Sequence, residues 1–250
     1  MGTPVPPPPL RRRRPAMSDD LVDTREMYLK AVYELEEEGI VPLRARLVER
    51  LSQSKPTVSE TVARLERDGM MYLDTNRAIV LTKEGRRIAT SVMRKHRVAE
   101  CFLLHVLGMP WEHVHAEACR WEHVMSRELE ERIAHVLGEQ GYELSHDPFG
   151  NPIPAENSLG PGADIAARTG LLAVADYLER NPSGGKVTIA RIGEVIQTDD
   201  DVLEAMAAAG IKPDATVTIS VEDDGDILAR GASGVFPLTD WIRKHLLVHA

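Results

Sequence analysis

The stretch HAEACRWEH, residues 115–123, puts His115, Glu117, Cys119, Glu122 and His123 within nine residues. On a helix, residues three and four apart share a face. His115, Cys119 and His123 follow one another at intervals of four, and Glu122 stands three from Cys119. Upstream, His96 and Glu100 are again four apart. Two facing helices would present His96, Glu100 and His115 near one point, and Cys119, Glu122 and His123 near another. A mixed nitrogen, oxygen and sulfur set suits a first-row transition ion and is too soft for calcium or magnesium. The plain alternative is a solvated face of His and Glu and a small core Cys, the commonest setting of each type. Six such residues at helical spacing on neighbouring helices favour a metal. Met27, on an apolar stripe, reads as core by its composition.

These side chains need helices to position them. The segment 82–108 reads as one long helix capped by Thr82. Pro110 opens the helix that carries the stripe, and Ser126 caps the next. Upstream, DTREMYLKAVYELEEEG has Asp23 or Thr24 as N-cap, and Met27, Ala31 and Leu35 fall on one stripe. PLRARLVERL follows, then SQSKPTVSETVARLERDG, with Ser54 as N-cap and Pro56 near the first turn. MMYLDTNRAIVLTKEG reads as two short strands around a turn at Asp74–Asn76. Helix, helix, short turn, helix and hairpin are the order of a winged helix-turn-helix. Its third helix begins with small polar residues, Ser54, Pro56, Thr57 and Ser59, that can enter a major groove. Glu60 is the one long side chain there able to reach a base edge. Arg44, Arg46 and Lys55 are candidates for phosphate contacts.

The formal net charge is −9, yet residues 43–67 hold six Arg and Lys against three Glu, a local +3. Nucleic-acid binding needs such a local face and not a basic total. Two cysteines, Cys101 and Cys119, in 250 residues are too few for a disulfide scaffold and fit a reducing cytosol. No apolar run approaches membrane-spanning length, and no apolar segment follows the N-terminal arginines as in a signal peptide. A cytoplasmic protein without membrane contact is expected. Val92, Val98, Phe102, Leu103, Val106 and Leu107 offer more apolar surface than one chain need hide, which points to a dimer. Residues 1–16, with six prolines and four arginines, read as a disordered tail, and 141–165 as a linker rich in Pro, Gly and Asn. KVTIARIG, ATVTISVED, DILARG and GVFPLTD are strand-like runs, with one helix at DDDVLEAMAAAG, so the last 80 or so residues read as a small β barrel.

HExxH, C-x-x-C, G-x-S-x-G and Gly-rich phosphate loops are all missing from the sequence. A metal-dependent hydrolase is therefore the remote alternative, and a metal beside a DNA-binding domain reads as a sensor.

The segments LVDTREMYL, PLRAR, PTVSETVARLERDG, LTKEGR, VMRKHRVAE, PWEHVHAEACRWEHVMS and PFGNPIP carry a resemblance. Through them the chain resembles the diphtheria toxin repressor and iron-dependent regulator family of bacterial metalloregulators from Met17 onward. The resemblance implies a mainly α protein with β. Residues 17–90 would form the winged helix-turn-helix domain, 91–140 the helical metal-binding and dimerisation domain, and 166–250 an SH3-like domain. It implies two metal sites per subunit. Met27, Cys119, Glu122 and His123 would form the primary one. His96, Glu100 and His115, completed by Glu194 and Gln197, would form the ancillary one. It further implies a homodimer on a palindromic operator, one or two dimers per operator, with the metal as corepressor. Met27 and Cys119 favour Fe(II), with a manganese-responsive regulator as the alternative. Mn(II), Co(II), Ni(II) or Zn(II) would substitute in vitro. The chain departs from the iron-type pattern at Glu60, where relatives have Gln, and at Lys55, where they have Gly.

Overall fold

A computed structural model describes residues 23–155 and 170–249. The expected tail, the start of the chain to residue 22 and residues 156–169 lie outside them.

Helix α1 (Thr24–Glu37) starts where Asp23 accepts the backbone N–H groups of Arg25 and Glu26, satisfying two of the donors a helix start leaves open. Its Tyr28, Leu29, Val32 and Leu35 form one core with Leu47 of α2 (Arg44–Leu51) and with Val58, Val62 and Leu65 of α3 (Lys55–Arg67). Ser54 caps α3 by accepting the Thr57 N–H. Strands β1 (Met71–Leu73) and β2 (Ile79–Leu81) pair antiparallel, and Asp74 accepts from the Asn76 and Ala78 N–H groups to close the turn. This is the winged helix-turn-helix.

Thr82 caps α4 (Lys83–His105), whose start presses on the wing. A Cβ added at Gly85 would sit 1.9 Å from the Met70 carbonyl oxygen, so glycine is required by close approach. Along its length α4 changes partners. Ala89 and Met93 belong to the first core, Val98, Cys101 and Leu103 to a second. A 3₁₀ turn (Trp111–His113) leads to α5 (Val114–Trp121), and Ser126 caps α6 (Arg127–Glu139).

The C-terminal part contains β3 (Leu171–Ala173), α7 (Val174–Arg180), β4 (Gly184–Ile192), α8 (Glu194–Gln197) and α9 (Asp200–Ala209). These are followed by β5 (Thr216–Val221), β6 (Ile227–Arg230), β7 (Val235–Pro237), α10 (Asp240–His245) and β8 (Leu246–His249). Its six strands form one antiparallel sheet in the order β3-β8-β4-β5-β6-β7.

Two expectations are corrected. Val92, Val98 and Leu103 are buried inside their own subunit, so they offer nothing to a second copy. Leu107, Val124 and Leu129, 57%, 69% and 45% exposed, are apolar side chains that this helical part does expose, beside half-buried Phe102 and Val106. Nor is the first half of the 141–165 stretch a linker. Phe149 is fully buried, its ring 4.8 Å from that of Trp111 and 6.5 Å from that of His115. Asp147 accepts the N–H groups of Phe149 and Asn151. Asn151 in turn donates to the Ile192 carbonyl, and Phe149 accepts the Ile192 N–H. Prolines and glycines there shape a tight plug between helices and sheet. One apolar core therefore runs continuously from α4, α5 and α6 through Phe149 and Ile153 into the C-terminal sheet.

Candidate metal centre

α4 and α5 pack together and present His96 and Glu100 from one, His115 and Cys119 from the other. Glu194, at the start of α8 in the C-terminal part, completes a group of four. His96 Nε2 lies 2.9 Å from Glu100 Oε1, 3.2 Å from His115 Nδ1 and 3.5 Å from Glu194 Oε2. His115 Nδ1 is 3.1 Å from Glu100 Oε1 and 3.6 Å from Glu194 Oε2. All four are buried. Their ligand atoms lie within 4.8 Å of one another, close enough to address a single ion.

The second cluster is arranged differently from the expectation. Cys119 Sγ sits 3.5 Å from His115 Nε2 and groups with His96 and His115. Among the described residues, Cys119, Glu122 and His123 do not by themselves form such a close group. Helix α5 ends at Trp121, with Glu122 as its C-cap and His123 in the turn that follows. Glu122 links the clusters: Oε2 accepts from His96 Nδ1 at 2.6 Å, and Oε1 lies 3.1 Å from His123 Nε2. The other ring nitrogen of His123 donates to Glu26 Oε2 at 2.9 Å. A carboxylate behind a histidine fixes its tautomer and aims the remaining nitrogen. Met27, next to Glu26, is half-buried against the core of the winged domain. Gln197, one turn after Glu194, is fully buried and donates its amide to the Ile192 carbonyl.

The donor set fits a metal. Glu100 Oε2, Glu194 Oε2 and Gln197 Oε1 are buried acceptor oxygens with no hydrogen-bond partner, and such groups are costly to leave unpaired. A cation would satisfy them. The electrostatics agree. Burial pushes the Cys119 thiol up, but the His115 imidazole and the Lys30 ammonium outweigh it and bring the thiol down to about 5. Burial pulls His115 down, yet the Cys119 thiolate and Glu100 lift it to about 10. His123 is raised to about 9, Glu122 and Glu26 overcoming its burial. Cys101, by contrast, is a core thiol pushed up by burial.

Behind the centre, the fully buried Arg97 joins three parts of the chain. Its guanidinium grips Glu37 of α1 at 2.9 and 2.6 Å. It also bonds Glu194 Oε1 at 3.0 Å and the Pro152 carbonyl at 2.6 Å, and lies 3.5 Å from Asp147.

Residues Arg97, Glu37, Lys30 and Glu26 were not singled out from sequence. A signal was present: Glu26, Lys30, Glu34 and Glu37 recur at helical spacing on a helix whose intervening residues, Glu36 aside, are apolar or aromatic.

In the winged domain, the N-cap Ser54 and Lys55, Pro56, Thr57, Ser59 and Glu60 of α3 are all exposed, away from the buried Val58, Thr61, Val62 and Leu65. Arg44 and Arg46 stand beside them in ion pairs with Glu66 at 3.6 Å and Glu49 at 3.0 Å. Glu60 and Arg64, four apart, make no ion pair among the described residues.

Winged helix, helical middle and donor-lined buried centre together define a DNA-binding regulator with a metal-competent core. Residues 20–79 match the iron dependent repressor N-terminal DNA binding domain, and residues 82–155 match the iron dependent repressor metal binding and dimerisation domain. The chain is 48% identical over 212 residues to the iron-dependent repressor IdeR of Mycobacterium leprae, covering 84% of this chain and 89% of that one. It is 50% identical over 208 residues to the diphtheria toxin repressor of Corynebacterium diphtheriae, covering 83% and 88%. Among solved structures, a manganese-dependent transcriptional repressor in complex with manganese superposes with a TM-score of 0.67 at 28% identity, covering 90% and 99%. The chain belongs to the iron-dependent repressor family, and is a metal-dependent transcriptional repressor with a DNA-binding and a dimerisation domain. No helix among the described residues is long and apolar enough to cross a membrane.

Proposed function

We propose that this chain is an Fe(II)-activated repressor of iron-uptake and iron-homeostasis genes. It would act as a homodimer on a palindromic operator, with one or two dimers per operator. The observation that carries the metal reading is the pair of unpartnered buried oxygens of Glu100 and Glu194 beside His96 and His115, with the unpartnered Gln197 Oε1 one turn on from Glu194. Iron is supported by the soft Cys119 donor and by relatives of about half identical sequence that are named iron-dependent.

His96, Glu100, His115, Glu194 and Gln197 would hold one ion, and Met27, Cys119, Glu122 and His123 a second. A bound ion supplies a positive centre shared by donors from different domains. The residues do the rest. Met27 and Glu26 come from α1 of the winged domain, Cys119, Glu122 and His123 from the helical middle. Drawing these together fixes α1, and with it α3, relative to the dimer core. Only one spacing of the two recognition helices matches half-sites on DNA. A ligand that binds that arrangement better shifts the population toward it.

Manganese is the second reading, since the manganese-dependent repressor shares this fold. An anaerobic gel shift on an iron-uptake promoter with Fe(II), Mn(II) or chelator separates them. Retardation at lower Fe(II) than Mn(II), lost with chelator, is expected. Retardation that ignores chelator would sink the metal requirement, and a stronger response to Mn(II) would replace iron.

Glu60 would set the operator. Exposed on α3 and free of Arg64, it can only accept hydrogen bonds, which suits the cytosine N4 amine; a Gln would suit adenine. Glu60→Gln is expected to change preference at one base pair per half-site by roughly 1–3 kcal/mol. Selection from randomised operators checks this, and identical consensus sequences from both proteins would remove Glu60 from base reading.

A further inference from the structure

The centre contains a cation of its own. Lys30, on α1, is 7% exposed and is the one lysine among the buried described residues. Its Nζ donates to Glu122 Oε2 at 2.8 Å, and lies 3.4 Å from His96 Nδ1 and 3.7 Å from Glu34 Oε1. Glu122 Oε2 is thus held twice, by the ammonium and by His96 Nδ1, while Oε1 faces His123. Both Glu122 and His96 are groups a divalent ion would use. A carboxylate oxygen already engaged by an ammonium is a poorer donor to a second cation. Like charges a few ångströms apart repel far more strongly in a buried site than in water.

We propose that Lys30 sets the metal affinity of the centre, as a fixed positive charge that competes with the divalent ion for Glu122. It weakens loading, so that occupancy follows changes in free metal instead of staying full. Glu34, one turn along α1 and itself held by Arg50 at 3.1 Å, offers the ammonium a second carboxylate when Glu122 turns to the ion. This inference rests on the metal-centre reading above. A purely structural Lys30 makes the opposite forecast, because removing one partner of a buried pair strands the other and disorders the site.

The test is anaerobic titration of the metal-free full chain with Co(II). Thiolate and ligand-field absorption report binding, and a chelator of known affinity gives the constant. Lys30→Met is expected to bind Co(II) roughly 10- to 100-fold more tightly, the range that one group behind the ligands commands. Lys30→Arg, which keeps the charge, is expected to stay near the wild type. Should circular dichroism show Lys30→Met unfolded, Lys30→Gln carries the same expectation. Neutral variants that bind equally or more weakly overturn the role of Lys30, as does Lys30→Arg gaining as much as Lys30→Met. In either case the metal centre stands as long as the wild type binds. A wild type that takes up no Co(II) overturns both readings together.

Discussion

Cys119→Ala and His123→Ala are each expected to abolish metal-dependent operator binding while leaving a folded dimer. Neither side chain is large core, so truncation leaves little cavity. The lost affinity should exceed the roughly 10–100-fold drop that follows loss of a partner behind the ligands. His96→Ala should be as damaging. By sequence it belongs to one cluster, but its Nδ1 donates to Glu122 while its Nε2 faces Glu100, His115 and Glu194. Removing it strips both clusters at once. Metal titration and DNA binding on the same samples, with circular dichroism for the fold, decide the matter. A variant that binds DNA with the metal dependence of the wild type would remove that residue from the centre.

Arg97→Met is expected to be the most destabilising single change near the site. Glu37 keeps Arg191 and Glu194 keeps His96, but Asp147 is left buried without its cation, and breaking a buried pair from one side costs about 3–5 kcal/mol. The pH dependence has a definite sign. A stranded buried carboxylate such as Asp147 holds its proton to higher pH in the folded than in the unfolded state. The variant therefore regains stability as pH falls and loses it as pH rises. Asp147 already leans that way, pushed well up by burial and by Glu100. Denaturation midpoints of both proteins from pH 5 to 8 provide the check. A variant as stable as the wild type at pH 8 would mean that Arg97 contributes no net stability.

Much of this was legible in the sequence because short-range rules governed it. The caps Asp23, Ser54, Thr82 and Ser126 sit where residue type placed them. His96–Glu100 and His115–Cys119 need only helical spacing to converge. What was illegible depends on long-range packing. PFGNPIP has the composition of a linker, yet Phe149 finds a pocket between helices and sheet that no local pattern announces. Strand β8, LLVH, follows α10 directly with no turn signal, and joins the sheet between β3 and β4. Glu194 reaches His96 across 98 residues, a juxtaposition the family resemblance proposed and spacing could not. Nothing in the residues next to Lys30 names the carboxylate and imidazole it meets. Only its neighbours from α4 and the end of α5 make it interior.

Helix α1 runs eight consecutive residues, Tyr28–Leu35, without an exposed side chain. One side belongs to the winged domain, and the other offers Lys30 and Glu37 to the rest of the chain. The winged domain is therefore not a transplantable module. A chimera cut between α3 and α4, with this winged domain grafted onto another sensor, would carry an orphaned charged seam along α1. Its mates are His96, Arg97, Glu122 and Arg191. Swapping regulators within this architecture means moving the seam with both of its halves.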